Sequence, residues 1–193
     1  MAKAKTAPLH VVEPEPEKLK IDIGCGKRTK EGFLGLDSID FGQKYICDVR
    51  NQLPFADNSV DEIHSSHFIE HLTGAERVAF FNELHRVMKV GATAQFSCPH
   101  WSHACAYGDP THQWPPMSEW MVFYLNRRWR EGIQPDGSDA NAPHSGYTCN
   151  FEYSFGGSWD QKLNGRNMEY ISIVMNTQIN AWRDLTFTLT KQE

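Results

Sequence analysis

The chain has no CxxC pair, no surplus of basic residues and no long apolar run. Its five cysteines (Cys25, Cys47, Cys98, Cys105 and Cys149) are odd in number and lack zinc-ligand spacing. They indicate neither a disulfide framework nor a structural zinc site, and reduced thiols in a cytoplasmic protein are expected. Lys and Arg total 19 against 24 Asp and Glu, a net charge of −5, which argues against a dedicated nucleic-acid binder. No stretch has the length and apolarity of a bilayer span or a secretory h-region, so no membrane partner is expected. Nor is there an internal repeat. What is plentiful is aromatic and imidazole: six Trp and nine His, many of them between His100 and Trp129. A histidine-rich aromatic segment on an otherwise average chain, 40% hydrophobic and 22% charged, reads as the lining of a pocket. Its length of 193 residues fits one domain with a sizeable core.

A third glycine is also missing. Leu19, Ile21 and Ile23 alternate with Lys20 and Asp22, a buried strand that breaks into Gly24-Cys25-Gly26. Glycines on both sides of Cys25 let the backbone turn sharply and approach a ligand closely. Phe33 to Leu36 reads as a second strand ending on Asp37, whose carboxylate can accept hydrogen bonds from both ribose hydroxyls. A dinucleotide fingerprint would place glycine at position 29, where the chain has Thr29, and its acid about 20 residues beyond the motif. Here ten residues separate Gly26 from Asp37, too few for a crossover helix and a strand. Without a helix N-terminus the turn lacks the usual holder of a pyrophosphate, so a phosphate-free nucleoside fits better.

Asp22-Ile23-Gly24-Cys25-Gly26 followed by Asp37 resembles the class I S-adenosylmethionine-dependent methyltransferases. The run from Cys47 to Asp61 strengthens the likeness, resembling that family's segment between its third and fourth strands. His67-Phe68-Ile69-Glu70-His71-Leu72 is similar to its short helix after strand four, and Glu83 to Gly91 to its helix before strand five, with Val90 where proline is usual. The resemblance implies an α/β, Rossmann-like, doubly wound and mostly parallel seven-stranded sheet with an antiparallel C-terminal strand. It implies S-adenosyl-L-methionine as cofactor, held by Asp22, Gly24, Cys25, Gly26, Asp37, Asp48, Val49, Ser65 and His67. Asp37 would take the ribose and Asp48 the adenine edge; Lys27 and Arg28 could pair with the cofactor's carboxylate.

Along the chain, residues 1–18 read as an extended, Pro- and Glu-rich arm and 19–193 as the domain, with an acceptor-pocket insertion at about 99–148. Further strands are expected at 44–47, 59–66, 92–98, 148–155 and 185–189. Thr73 and Glu76 fit a capping box, with Val78, Phe81, Leu84 and Met88 as the apolar stripe and Gly91 as the stop. Ser118 can cap a helix to Leu125. Residues 131–145 read as a polar loop, and 168–182 as a helix with an Asn-rich break.

In an open α/β sheet the ligand lies beyond the carboxyl ends of the strands, so the segment after the fifth strand faces the acceptor. Transfer from a sulfonium needs an aligned nucleophile relieved of its proton, and histidine suits that task. His100 and His112 are the preferred pair, with His103 as a third candidate and Asp109 as an orienting carboxylate. The expected reaction is methyl transfer to oxygen or nitrogen of a small polar acceptor. His100, His103, Asp109 and His112 could instead hold a cation, but their spacing matches no metal motif, so no metal site is assigned. Cys98 could be a nucleophile, and Arg127, Arg128 and Arg130 could grip an anionic acceptor. The alternative at the level of function is a protein that binds S-adenosylmethionine without methylating, as a sensor or as a metal-assisted hydrolase or lyase. A nucleic-acid acceptor fits the charge less well.

Overall fold

The computed structural model describes residues 18–132 and 145–193. The arm expected at 1–18 lies, apart from Lys18, outside the described residues, as does most of the loop expected at 131–145. Seven strands form one sheet in the order β3-β2-β1-β4-β5-β7-β6. They are β1 (Lys20–Ile23), β2 (Leu34–Asp37), β3 (Tyr45–Ile46), β4 (Val60–Ser66), β5 (Met88–Pro99), β6 (Phe151–Trp159) and β7 (Trp182–Lys191). Neighbours from β3 to β5 pair in parallel, while β7 runs antiparallel to both β5 and β6. This is the sheet expected from the sequence. Strand order reverses beside β1, where consecutive β1 and β2 lie on one side and β4 on the other, and a ligand crevice opens at such a point.

β1 is central and buried on both faces: Ile21 and Ile23 fill one, and Asp22 is buried on the other. No helix crosses from β1 to β2. The return loop packs directly on β2 instead, and Gly35 makes this possible. A Cβ there would stand 2.4 Å from Thr29 Oγ1 and 2.8 Å from Cys25 Sγ.

The capping box is present: Glu76 N–H donates to the Thr73 hydroxyl and Thr73 N–H to the Glu76 carboxylate, opening α1 (Gly74–Val87). Its buried face is Arg77, Phe80, Phe81, Leu84 and Val87; Val78 is only half-buried. Met88 is the first residue of β5 rather than the last of the helix, so that strand starts four residues earlier than the expected 92. Gly91, with φ of 79°, sits inside β5 where the register against β4 slips between Val60 and Glu62. The glycine thus serves a bulge and not a helix stop. Phe81, Phe96 and Phe187 fix α1 to the sheet, the last two stacked at 4.9 Å.

After β5 come α2 (Cys105–Gly108), α3 (Glu119–Phe123) and α4 (Arg127–Glu131), and α5 (Met168–Thr177) lies between β6 and β7. The helix expected from Ser118 to Leu125 stops at Phe123. The one expected over 168–182 stops at Thr177, since Asn180 turns with positive φ and Trp182 opens β7. β6 starts three residues later than the expected 148 and runs on to Trp159, and β7 extends past 185–189 at both ends, because the two pair with each other along nearly their whole length.

The loop between β3 and β4 hangs on α1. Glu83 accepts the Leu53 N–H at 2.7 Å, and Arg86, bound to Glu83, donates to the carbonyls of Leu53 and Phe55. The Arg86 guanidinium, more than the Leu53 amide, holds the Glu83 carboxyl below its ordinary value. A depressed folded-state value stabilises the fold above the unfolded value of about 4.3 and is lost as pH falls through the folded one. Glu83→Ala is expected to cost about 1–3 kcal/mol at pH 7, since an amide and a guanidinium lose their acceptor. Urea unfolding should show the gap between wild type and variant closing below about pH 4.

Candidate active site

Three carboxyl-terminal strand tips bound a cleft of about 560 Å³, its solvent-open mouth included. Gly24 ends β1, Leu36 and Asp37 end β2, and Cys47, Asp48 and Val49 follow β3; Phe68, His71 and Leu72 close the opposite wall. Asp37 Oδ2 accepts the Gly26 N–H at 2.9 Å and Oδ1 the Ile39 N–H at 3.0 Å. The carboxylate therefore fixes the glycine turn while still facing the cleft. Gly24 has φ of 68°, and a Cβ would fall 2.4 Å from the Phe68 ring. Glycine is needed at 24 on both counts.

Of the residues expected to hold the cofactor, Gly24, Asp37, Asp48 and Val49 line this cleft, with Cys25 and Gly26 in the turn beside it. Asp48 differs from expectation. Arg50 occupies its carboxylate through Nε at 2.9 and 3.0 Å and Nη2 at 2.6 Å, and the Arg50 amide adds a fourth bond. These bonds hold the Asp48 carboxyl below its ordinary range, so an adenine amine would have to share it with Arg50.

Three residues leave the cleft altogether. Asp22 is buried, one oxygen accepting the Lys30 N–H and the other 2.7 Å from His64 Nδ1. It braces the return loop and does not line the cleft. Ser65 is buried with its hydroxyl unbonded. His67, at φ 52°, stands between Glu70 Oε1 at 3.4 Å and Asp184 Oδ1 at 3.8 Å, and the Glu70 carboxylate chiefly raises its pKa. Lys27 and Arg28 are exposed, Lys27 lying over the Phe41 ring.

The histidines separate. His100 is buried, with Nδ1 at 2.8 Å from Ser102 Oγ, Nε2 at 3.1 Å from Glu119 and its ring stacked on Trp182. Both nitrogens are committed, so the expected pairing with His112 does not form. The His100 contact is also what holds the Glu119 carboxyl low. His103 accepts the Cys105 N–H and borders a different, shallow groove with Trp159 and Asn180. His112 lies edge-on to His71, ring centres 4.9 Å apart, and its Nδ1 meets the Ala106 carbonyl at 3.3 Å. Asp109 stands 3.9 Å from His112 Nε2. It acts more directly on His71, through Thr111, whose hydroxyl donates to Asp109 at 2.6 Å and lies 2.9 Å from His71 Nδ1.

Buried Arg77 ties the two wall segments together. Its guanidinium donates to the carbonyls of Ile69, Glu70, Gln113 and Pro115, and the Gln113 amide reaches the Glu70 carbonyl at 2.8 Å. The sequence reading missed Glu70, His71 and Arg77 as site residues. An adjacent Glu-His in the short turn after β4, and an arginine on the inward face of an amphipathic helix, were the available signals. Cys98 is buried against the Leu185 carbonyl, and burial pushes its thiol well above the ordinary value, which removes it as a nucleophile. Arg130 is likewise structural, donating to the Tyr124 and Cys149 carbonyls.

Residues 28–96 match the family described as "Methyltransferase domain". Over that stretch the chain is similar to methyltransferase domains. Its fold is that of a SAM-dependent methyltransferase from Archaeoglobus fulgidus, at 18% identity and a TM-score of 0.62 over 90% of this chain and 86% of that one. A SAM-dependent methyltransferase from Mesorhizobium loti aligns at 17% identity and a TM-score of 0.47, over 91% and 93%. No curated protein matches the chain. The lining is compatible with S-adenosylmethionine: a carboxylate at the tip of β2, apolar walls at Leu36, Val49 and Leu72, and a glycine turn with no helix behind it to demand a phosphate.

Gly24→Ala is expected to cost at least about 1–3 kcal/mol from the forced positive φ alone, with the displaced Phe68 ring narrowing the cleft. Thermal unfolding and calorimetry with S-adenosylhomocysteine should show both losses, whereas Gly42→Ala, also at positive φ but with open space around it, should affect stability only.

Proposed function

We propose that this domain transfers the methyl group of S-adenosylmethionine to oxygen or nitrogen of a small polar acceptor, with histidine assistance in removing the acceptor's proton. The observation that carries this reading is His71: it lines the cleft that Asp37 enters and lies edge-on to His112. The imidazole pair thus stands where the cofactor side and the segment after β5 meet.

When bound, the cofactor supplies a sulfonium methyl open to in-line displacement. Asp37 accepts from the ribose hydroxyls while its bonds to the Gly26 and Ile39 amides keep it in place. Leu36, Val49 and Leu72 would flank the adenine and keep water from its faces. Gly24 lets the backbone approach the amino-acid end. His112 is oriented by the Ala106 carbonyl and His71 by Thr111, and Asp109 positions Thr111. His100, His103 and Glu119 hold the loop rather than the acceptor. The acidic composition favours a metabolite over a nucleic acid as acceptor. The domain 19–193 with its insertion at about 99–148 is the unit expected to bind both substrates.

The test is transfer of labelled methyl from S-adenosylmethionine into a metabolite extract, with DNA and RNA as parallel acceptors. Label should appear in a small molecule. Label in nucleic acid, or cofactor binding without any labelled product, would overturn the acceptor assignment or the activity respectively. Asp37→Ala should weaken S-adenosylhomocysteine binding by roughly 10–100-fold, the worth of hydrogen bonds to a charged group. His112→Ala should preserve that binding and slow turnover by about 10²–10⁴; equal loss of binding and turnover would place His112 with the cofactor.

A further inference from the structure

We propose that Glu70, His71 and His112 bind one divalent first-row transition cation at the wall of the cofactor cleft. The first observation is convergence. One donor atom from each of the three residues lies within 4.8 Å of the others, although they come from two segments 41 positions apart. Arg77 and the Gln113–Glu70 main-chain bond hold those segments together.

The second observation is Glu70 itself. Its side chain is 4% exposed, and neither carboxylate oxygen accepts a hydrogen bond among the described residues. Its one charged neighbour is the half-exposed His67 ring, whose Nδ1 lies 3.4 Å from Oε1, and that pairing leaves Oε2 without a partner among the described residues. Arg77, near enough to serve, spends its donors on carbonyls. A buried carboxylate with an oxygen left unmet is costly unless a further charge completes it.

The third is the state of the two rings. The Thr111 hydroxyl gives its proton to Asp109 at 2.6 Å, so its 2.9 Å contact with His71 must be a bond donated by Nδ1–H. His112 Nδ1 faces the Ala106 carbonyl, which can only accept. Both imidazoles therefore keep the lone pair on Nε2, each fixed by an outer hydrogen bond on Nδ1, the arrangement that metal-bound histidines require. Two imidazoles and one carboxylate suit zinc, iron or manganese, and three protein ligands leave positions open for an exogenous oxygen or nitrogen. That the acceptor fills an open position, so that the cation lowers the pKa of its proton and the histidines assist as ligands, rests on the methyl-transfer reading above.

The experiment uses the full chain, stripped with a chelator and titrated with Co²⁺. One equivalent should give visible d–d absorption, displaced by Zn²⁺. Glu70→Gln and His112→Gln should each weaken Co²⁺ binding by about 10–100-fold or more, and Asp109→Asn, acting through Thr111, by less. Their affinity for S-adenosylhomocysteine should match wild type, which controls for folding. No saturable Co²⁺ spectrum, or one that persists unchanged in His112→Gln, overturns the cation site whatever the methyl-transfer assay gives. A Co²⁺ spectrum in a protein that labels no metabolite leaves the cation site standing and overturns the transfer reading instead. Metabolite labelling abolished by the chelator and restored by Zn²⁺, Fe²⁺ or Mn²⁺ would tie the two together.

Discussion

A charged guanidinium with no carboxylate bonded to it among the described residues lies at the base of the site. Arg77 is buried, and burial lowers its pKa, yet it is bonded wholly to main-chain oxygen. Moving such a group out of water is expensive unless its donors are met. Meeting them requires the turn after β4 and the segment around Gln113 to present their carbonyls to one point. The cost of leaving the arginine unsatisfied is thus what shapes this wall of the cleft. Two loops without regular structure of their own acquire a fixed relation, and the side chains they carry outward, Glu70, His71 and His112, converge as a result.

The cofactor side follows a different logic. There the sheet does the positioning: parallel β1, β2 and β3 end at one edge, and Asp37 stitches the first turn to the second strand through the Gly26 amide. The shortened crossover is compatible with this because Gly35 leaves room for the return loop to lie against β2. Asp22 fastens that loop from below through the Lys30 amide. One carboxylate faces the cleft and the other faces the scaffold, though both looked alike as acids beside the glycine turn.

That difference marks how far the sequence could be read. Alternation and the capping box located the strands and α1, and the Gly24 to Asp37 spacing located the cleft, because these are local patterns with local causes. Bulges were not legible: Gly91 read as a helix stop, and only the slip of β5 against β4 gives it another purpose. Nor were the partners of single polar residues. Asp48 is claimed by Arg50, His100 by Ser102 and Glu119, and Asp22 by His64; Arg50 and Ser102 are local partners, whereas Glu119 and His64 come from other elements whose approach depends on the finished fold. The Glu70–His71–His112 grouping needs Arg77 to assemble, and no spacing rule links positions 70 and 112.

The sheet's last strand also says something about how the molecule is assembled. β6 pairs with β7 alone, and β7 with both β6 and β5, so β6 is tied to the rest of the sheet only through its neighbour. The two close on each other across a shorter span of chain than parallel β1 and β4, and pairing of that kind needs less loop closure. They therefore form a hairpin-like unit with a single seam, the run of β7 against β5 around Phe96 and Phe187, and whatever loosens that seam releases both strands together.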